Sequence, residues 1–405
     1  MLVTHVLGDC PGCGGKNQFG NVMVCRNHVL RGCMACDYHI KIPLPDIRKK
    51  ILYLDQFFLS GAFRGSDKRF AEAAQRVRKM THLQLLVAPF SSVHADETHQ
   101  WRGYNGKAKD DLMEFIKAIS GGHRFRPAYE VERFQIVRAF RAFLAGQPSE
   151  FHCAERDAIS DDVHKWENYF RLDVSGYYVD VELLRTLKQK SVGMLVDAFD
   201  EWRTSTNSFQ EDIAVELWHA AKAYTDSFAA HVSRIAAGDL AAVFNGTIMS
   251  MVVESLLDCL SDEASAEERF RTIGRFFASE HFWQAPYQWI SARVCATLKD
   301  MVKRGAYPNR EKALQRLSGF FSDVRHAASY APYCNAFVMD RAMAELVSDP
   351  RVGIEARYGV KVFSLSNWDE FLSWLDALEA AMTEEHKAGL VAAYPYLDST
   401  GLSPP

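Results

Sequence analysis

The sequence predicts an α/β protein whose parallel-sheet core is interrupted by a large all-α insertion and preceded by a small cysteine-rich module. Three observations support this. Hydrophobic strands that end on an aspartate occur near both ends of the chain, at residues 51–55 and 336–340. Between them, residues 107–311 carry apolar side chains at three- and four-residue steps, the period of helices. Two cysteine pairs with the spacing Cys-x-x-Cys lie within the first forty residues.

Composition limits the possible partners and the class of protein. A chain of 405 residues with 48% hydrophobic content predicts two or three well-packed domains. The net charge is −4, so nucleic-acid binding would depend on local basic patches. The start lacks the pattern of a signal peptide, and no stretch reads as a membrane span. We therefore expect a cytoplasmic protein with no membrane partner, which also fits clustered, reduced cysteines.

The cysteine-rich module, residues 1–44, predicts a zinc ribbon. Each Cys-x-x-Cys turn directs two thiolates at one point, and two turns complete a tetrahedral site. The predicted ligands of this structural zinc are Cys10, Cys13, Cys33 and Cys36. Cys25 and His28 lie between the pairs, and either is an alternative ligand. So small a segment has little core of its own, so zinc binding should supply its folding energy.

The first part of the core follows the module. Residues 49–54 predict a strand, residues 67–80 a helix and residues 83–90 a second strand. Ser91 or Ser92 then caps a helix that carries His94, Asp96 and Glu97. Strand character returns at 335–339 and 360–363, and residues 367–381 predict a closing helix. The sheet is therefore expected to be split by the insertion.

These elements define five segments. They are the zinc ribbon at 1–44, the first part of the core at 45–106, the helical insertion at 107–311, the second part of the core at 312–390 and a tail at 391–405. The last residues of this tail, 400–405, are expected to be loose.

Four acids are predicted to form a catalytic metal site. Asp55 and Asp340 each follow a predicted strand directly. Glu97 lies in the helix that begins after the second strand, and Asp323 lies on the helix before the strand that ends at Asp340. Carboxyl ends of parallel strands meet at one edge of the sheet, where ligands bind. Carboxylate oxygens suit Mg²⁺ or Mn²⁺, which neutralise the charge of phosphodiester hydrolysis. Asp96 neighbours Glu97 on another helix face, so we expect Glu97 to point inward.

The order and spacing of these acids resemble the PIN-domain ribonucleases. The resemblance covers about 48–100 and 312–385, including the stretches around Ser92–Glu97 and Ala331–Asp340. It implies a PIN-like parallel sheet, a metal-dependent endonuclease with RNA slightly preferred over DNA, and a role as a bacterial toxin or antiphage effector. The same resemblance would place an acid where Asn335 stands, so Asn335 is expected to be a weaker, auxiliary member of the site. His94 and His326 are further auxiliary candidates, as proton carriers or as structural hydrogen-bond partners.

Basic residues after Asp55 are candidates for contacts to RNA or single-stranded DNA. They are Arg64, Lys68, Arg69, Arg76 and Lys79. A second basic run, Arg124 to Arg141, interleaves arginines with Phe134, Phe140 and Phe143, which could stack on bases or belong to a core. The alternatives to a nuclease are a catalytically silent scaffold and a sensor regulated by a partner. In either case the ribbon and the insertion would bind the partner or form an oligomer.

Overall fold

The computed structural model describes residues 1–167, 181–244 and 246–396. Two four-stranded sheets organise the chain, one antiparallel and one parallel. The antiparallel sheet has β1 (His5–Gly8), β2 (Phe19–Val24), β3 (His28–Cys33) and β4 (His39–Pro43). The parallel sheet has β5 (Lys50–Leu54), β6 (Leu86–Val87), β7 (Ala336–Val338) and β8 (Lys361–Phe363).

Helices make up most of the remaining chain. In the first part of the core these are α1 (Gln56–Arg64), α2 (Lys68–His82) and α3 (Ser92–His99). The long stretch between the two parts holds α4 (Lys109–Ser120), α5 (Ala128–Leu144), α6 (Val181–Asp197), α7 (Phe199–Thr204), α8 (Phe209–Ala236), α9 (Leu240–Phe244), α10 (Ser250–Leu257), α11 (Ala266–Phe277), α12 (Glu280–Gln284), α13 (Pro286–Lys303) and α14 (Arg310–Arg316). The last helices are α15 (Phe320–Tyr330), α16 (Arg341–Val347), α17 (Ile354–Tyr358), α18 (Trp368–Ala380) and α19 (Glu384–Ala393).

The parallel sheet has the strand order β6-β5-β7-β8, so its central pair joins segments far apart in sequence. Leu52 pairs with Ala336, and Leu54 pairs with Val338. Successive residues of a strand face opposite sides of a sheet. Accordingly, Ile51 and Tyr53 enter a core packed by α13 and α15, whereas Leu52 and Leu54 enter a core with α1, α2 and α18. The predicted α/β class with a parallel sheet is confirmed.

The antiparallel sheet docks on the end of the described chain. The Asn21 side-chain amide donates hydrogen bonds to the carbonyl oxygens of Ala392 and Ala393, at 3.0 and 3.2 Å. The Arg31 guanidinium also donates to the Ala392 carbonyl. Val29 of β3 is fully buried in the core shared with the helices. The cysteine-rich module is therefore packed against α19 rather than tethered by a free linker.

Three expectations need correction. The second strand is only Leu86–Val87, because Gln84 adopts a positive φ of 61° directly after α2 and delays the extended backbone. The helical stretch is broken after α5, where residues 145–154 and 158–167 have no helix and Gly146 adopts a positive φ. The expected tail starts too early, since α19 reaches Ala393 and Tyr394 is buried. Residues 397–405 lie outside the described part.

Within the described ranges, no helix combines the length and apolarity that a bilayer crossing requires.

Candidate metal centres and their surroundings

The two strand-end aspartates follow adjacent strands of the parallel sheet and cap the helices that come next. Asp55 Oδ1 accepts a hydrogen bond from the backbone N–H of Gln56 at 2.8 Å, at the start of α1. Asp340 Oδ1 accepts from Ala342 and Met343 at 2.7 and 3.1 Å, at the start of α16. The backbone N–H of Asp55 donates to the Val338 carbonyl, which holds the two strand ends together. Helix capping therefore accounts for one oxygen of each carboxylate.

Helix α15 brings Asp323 and His326 to the same place. One ligand atom of each of Asp55, Asp323 and His326 lies within 4.8 Å of the others. Asp323 and His326 are three residues apart and so share one face of α15. His326 is only 1% exposed, and neither ring nitrogen has a hydrogen-bond partner among the described residues. A buried imidazole without a partner is costly unless a ligand satisfies it.

Glu97 of α3 and Asp340, both predicted as metal ligands, lie outside this three-residue group, although their charges act on Asp55 and Asp323. Glu97 is accompanied by a lysine that the sequence analysis did not identify. The Lys188 ammonium lies 3.3 Å from Glu97 Oε1 and comes from α6, in the helical stretch. No local pattern could have identified Lys188, because it is ninety-one residues from Glu97. Arg185, one turn earlier, donates to the Gln100 carbonyl at 2.6 Å and holds α6 against the end of α3.

Burial and mutual repulsion shift the protonation of these acids. Burial, with the nearby charges of Glu97 and then Asp340, raises the pKa of Asp55 to about 8. Burial and the charge of Asp55 raise the pKa of Asp323 well above its ordinary value, and Lys188 partly opposes this shift. Burial also raises the pKa of Glu97, against the opposing effect of Lys188. Acids that share a site in this way favour a bound cation.

Tyr53 and His94 pack beneath the acids. The Tyr53 ring stacks 4.1 Å from Phe337 and lies 5.1 and 5.3 Å from the rings of His94 and His326. His94 Nδ1 accepts from the backbone N–H of Ser91 at 2.9 Å, and Ser91 is the N-cap of α3. Burial lowers the pKa of His94 to about 3, so this ring stays neutral. His94 is expected to be either a proton carrier or a structural hydrogen-bond partner, and its bond with Ser91 corresponds to the structural role.

Asn335 does not belong to this cluster, which corrects its expected auxiliary role. Its Oδ1 accepts from the backbone N–H of Ile51 at 2.9 Å, at the amino end of β7. Asp340 lies five residues further on, or roughly 16 Å along an extended strand. The amide of Asn335 therefore ties β7 to β5 and is oriented by the sheet.

The four cysteines of the N-terminal module converge as the spacing predicts. The Sγ atoms of Cys10 and Cys36 are 3.8 Å apart, and those of Cys13 and Cys33 are 3.9 Å apart. Thiolates around zinc at roughly 2.3 Å in a tetrahedron have about this separation. The backbone N–H groups of Gly12 and Ala35 point at two of the sulfurs, at 3.3 and 3.2 Å. The cluster could therefore hold a metal such as zinc.

Cys25 and His28, the alternative ligands, lie outside this group. The backbone N–H of Cys25 bonds to the carbonyl of His28 where β2 turns into β3, and the His28 ring contacts Asn27. Cys25 and His28 therefore lie between the two cysteine pairs because they form the hairpin turn, and they are not ligands of the four-cysteine site.

Comparisons with protein-family models, with curated proteins and with solved structures found no match for this chain.

The basic residues after Asp55 divide into two groups. Arg76 and Lys79 form ion pairs with Asp376 and Glu379 of α18, at 2.8 and 2.6 Å. Arg69 pairs with Asp67, the N-cap of α2. Arg64 lies over the rings of Trp101 and Tyr104, and Lys68 is exposed without an acidic partner in the described part of the chain. Among the residues that the structure describes, Arg64 and Lys68 are thus the two of the five without an acidic partner.

The second basic run forms a groove beside α5. Four arginines in it have no ion pair with another described residue, and a fifth, Arg138, pairs with Asp157. Two further acids, Glu130 and Asp258, also line it. The first four arginines are Arg126, Arg133, Arg141 and Arg156. Phe134 is exposed in the same groove, whereas Phe140 and Phe143 pack in a core. The run therefore combines a basic face with core phenylalanines, and Arg156 joins it from a later segment.

Proposed function

We propose that the chain is a metal-dependent endonuclease that hydrolyses phosphodiester bonds of RNA or single-stranded DNA, and that its N-terminal module is a structural zinc ribbon. The observation that carries the proposal is the convergence of Asp55 and Asp323 on the buried His326, whose ring nitrogens have no hydrogen-bond partner among the described residues. Asp55 and Asp323 supply oxygen ligands beside this imidazole. Their raised pKa values mark a site whose charge is compensated only in part by protein groups.

The donor set favours Mn²⁺ over Mg²⁺. Mg²⁺ prefers oxygen ligands and retains several waters, whereas imidazole nitrogen suits transition metals. A bound divalent ion would lower the pKa of a water nucleophile and stabilise charge on the phosphate oxygens. His326 and Asp323 would hold the ion. The backbone N–H groups that donate hydrogen bonds to Asp55 and Asp340 fix the orientation of those carboxylates.

The groove beside α5 supports a single-stranded substrate. Arginines without acidic partners bind phosphates, and an exposed phenylalanine offers a stacking surface for a base. Arg133, Phe134 and Arg141 lie on α5 and line the same groove. RNA is preferred over DNA on the PIN-like resemblance alone.

A regulated nuclease is a second candidate, and Lys188 is the observation that favours it. The insertion places this cation against Glu97, so a movement of α6 would change the charge of the acid cluster. A partner that binds the helical stretch would then control metal affinity. This candidate differs from a catalytically silent scaffold, in which metal binding and cleavage are both absent.

The test combines metal binding with cleavage. Labelled single-stranded RNA, single-stranded DNA and duplex DNA are incubated with Mn²⁺ or Mg²⁺, and Mn²⁺ affinity is measured by calorimetry. Asp323→Asn should abolish both binding and cleavage, whereas the exposed Asp369→Asn on α18 makes the same chemical change without effect. Mn²⁺ binding without cleavage would favour the regulated form. Absence of Mn²⁺ binding in the wild type would overturn the proposal.

A further inference from the structure

A cavity of about 260 Å³ lies at the other end of the sheet from the acid cluster. Its walls come from the residue before β5, the last turn of α2, the end of α4 and the segment after α19. Lys49 and Asp55 are six residues apart along β5, or about 20 Å in an extended strand. The cavity is therefore separate from the candidate metal site and does not depend on the proposed nuclease.

Lys49 lines this cavity and is the feature that points to an anionic ligand. The residue is 5% exposed, and its ammonium is accessible from the cavity and has no hydrogen bond or ion pair with another described residue. Two acids whose charges act on Lys49 are paired with other cations, Asp162 with Arg26 and Glu167 with Lys165, each at 2.6 Å. Glu167 also lines the cavity. A largely desolvated ammonium without a counter-ion is stabilised when an anion reaches it.

The protonation state of Lys49 is compatible with binding an anion. Burial, with the neighbouring charge of Lys165, lowers the pKa of Lys49 to about 8. The group is therefore still largely protonated at neutral pH, and an anion in the cavity would raise this pKa again.

A second cation lines the same cavity. The Arg78 guanidinium is exposed at the last turns of α2 and pairs with no acid of the described chain. Arg binds phosphate through two parallel N–H groups, and Lys adds a point charge. His82 and Tyr394 contribute ring surfaces to the wall. The volume is slightly below the roughly 300 Å³ at which pockets for drug-sized ligands begin, which limits the ligand to a small molecule.

We propose that this cavity binds a small phosphorylated molecule of mononucleotide size, with Lys49 and Arg78 holding its phosphate. Inorganic phosphate is the group common to all ligands of this class. A mononucleotide adds a flat ring that would contact His82 and Tyr394. A polynucleotide backbone is a different class of ligand and is an outcome that the experiment separates.

The experiment measures thermal stability and calorimetric binding of the full chain with inorganic phosphate, AMP and a single-stranded RNA decamer. A ligand that binds only the folded state raises the melting temperature. Phosphate and AMP should stabilise the wild type, and AMP should bind more tightly if the ring is recognised. Lys49→Met should weaken binding about tenfold or more, as expected for loss of a charged hydrogen bond. Lys50→Met, at the exposed neighbouring position, is the matched control and should bind like the wild type.

Arg78→Gln keeps the test independent of folding, because Arg78 is exposed and its replacement leaves the core unchanged. It should also weaken phosphate and AMP binding while leaving the melting temperature of the free protein unchanged. The proposal is overturned if neither phosphate nor AMP binds at millimolar concentration, or if Lys49→Met binds them as well as Lys50→Met does. Binding of the RNA decamer alone, lost in Arg78→Gln, would equally overturn it in favour of a polynucleotide surface.

Discussion

His326 Nδ1 lies 4.0 Å from Asp55 Oδ1, too far for a hydrogen bond and close enough for both atoms to hold one ion. Burial, and next the charge of His94, lower the pKa of His326 well below its ordinary value, so the ring is neutral and carries a free lone pair. The imidazole thus has the protonation of a metal ligand, whereas Asp55 would release its proton when an ion binds.

The metal-free protein should lose stability as pH rises. The folded Asp55 has a pKa of about 8, and its unfolded value is near 4. Between these values the folded state binds a proton that the unfolded state lacks, so the free energy of unfolding falls through this window. Asp55→Asn keeps a capping side chain and should stabilise the protein by roughly 2 kcal/mol or more at pH 8, but little at pH 4. Urea denaturation in buffer free of Mn²⁺ and Mg²⁺ measures this, and destabilisation at pH 8 would contradict it.

Gly319→Ala should damage the metal site without changing its charge. A Cβ at this position would lie 2.7 Å from Asp323 Oδ2, so the carboxylate must move. Mn²⁺ affinity should fall by about tenfold, the cost of one displaced ligand contact. Gly274→Ala on α11 is the control, since its Cβ would meet no atom within 4 Å. That control should gain about 0.5–1 kcal/mol of stability, and equal Mn²⁺ affinity in both variants would contradict the prediction.

Lys188→Gln should strengthen Mn²⁺ binding. The ammonium lies beside Glu97 and repels a divalent ion at the acid cluster, so its removal should lower the Kd several-fold. Lys190→Gln on the same helix is exposed and unpaired with any described acid, and it should leave the Kd unchanged. Calorimetry at two salt concentrations measures the effect. A higher Kd in Lys188→Gln would mean that the lysine instead orients Glu97 for the ion.

Cys33→Ser should remove the structural metal, whereas Cys25→Ser should retain it. The first thiol belongs to the four-cysteine cluster, and the second lies outside it. Metal analysis should find a single zinc ion in the wild type and in Cys25→Ser. Because the module packs on α19, Cys33→Ser should also expose the Val29 region to proteolysis. Equal zinc content in the two variants would show that another residue completes the site.

The groove beside α5 should determine RNA affinity but not the chemistry. Arg133→Gln with Arg141→Gln should weaken single-stranded RNA binding, and the salt slope should fall by about 0.7 for each lost phosphate contact. Mn²⁺ affinity should not change. Arg275→Gln, at an exposed position of α11, is the charge-matched control. An unchanged salt slope in the double variant would exclude the groove as an RNA-binding surface.

The predictable parts of the fold and site depend on local patterns. The cysteine spacing and the two strand ends at Asp55 and Asp340 are visible as short motifs, and each is found where its motif predicts. Lys188 and Lys49 could not be identified, because their significance comes from burial beside residues distant in sequence. Arg76 and Lys79 show the reverse case, in which a visible basic stripe is neutralised by a helix three hundred residues later.

The pairing of β5 with β7 has a consequence for synthesis of the chain. Ile51 and Asn335 bond across 284 residues, so β5 waits for its central neighbour while the whole helical stretch is made. At about 5–20 residues per second, that interval is roughly 15–60 s. Asp323 and Asp340 emerge only at its end. A nascent chain therefore carries Asp55 and Glu97 without Asp323 and Asp340 until the second part of the core has been made, so the proposed cleavage would be withheld during synthesis of the helical stretch.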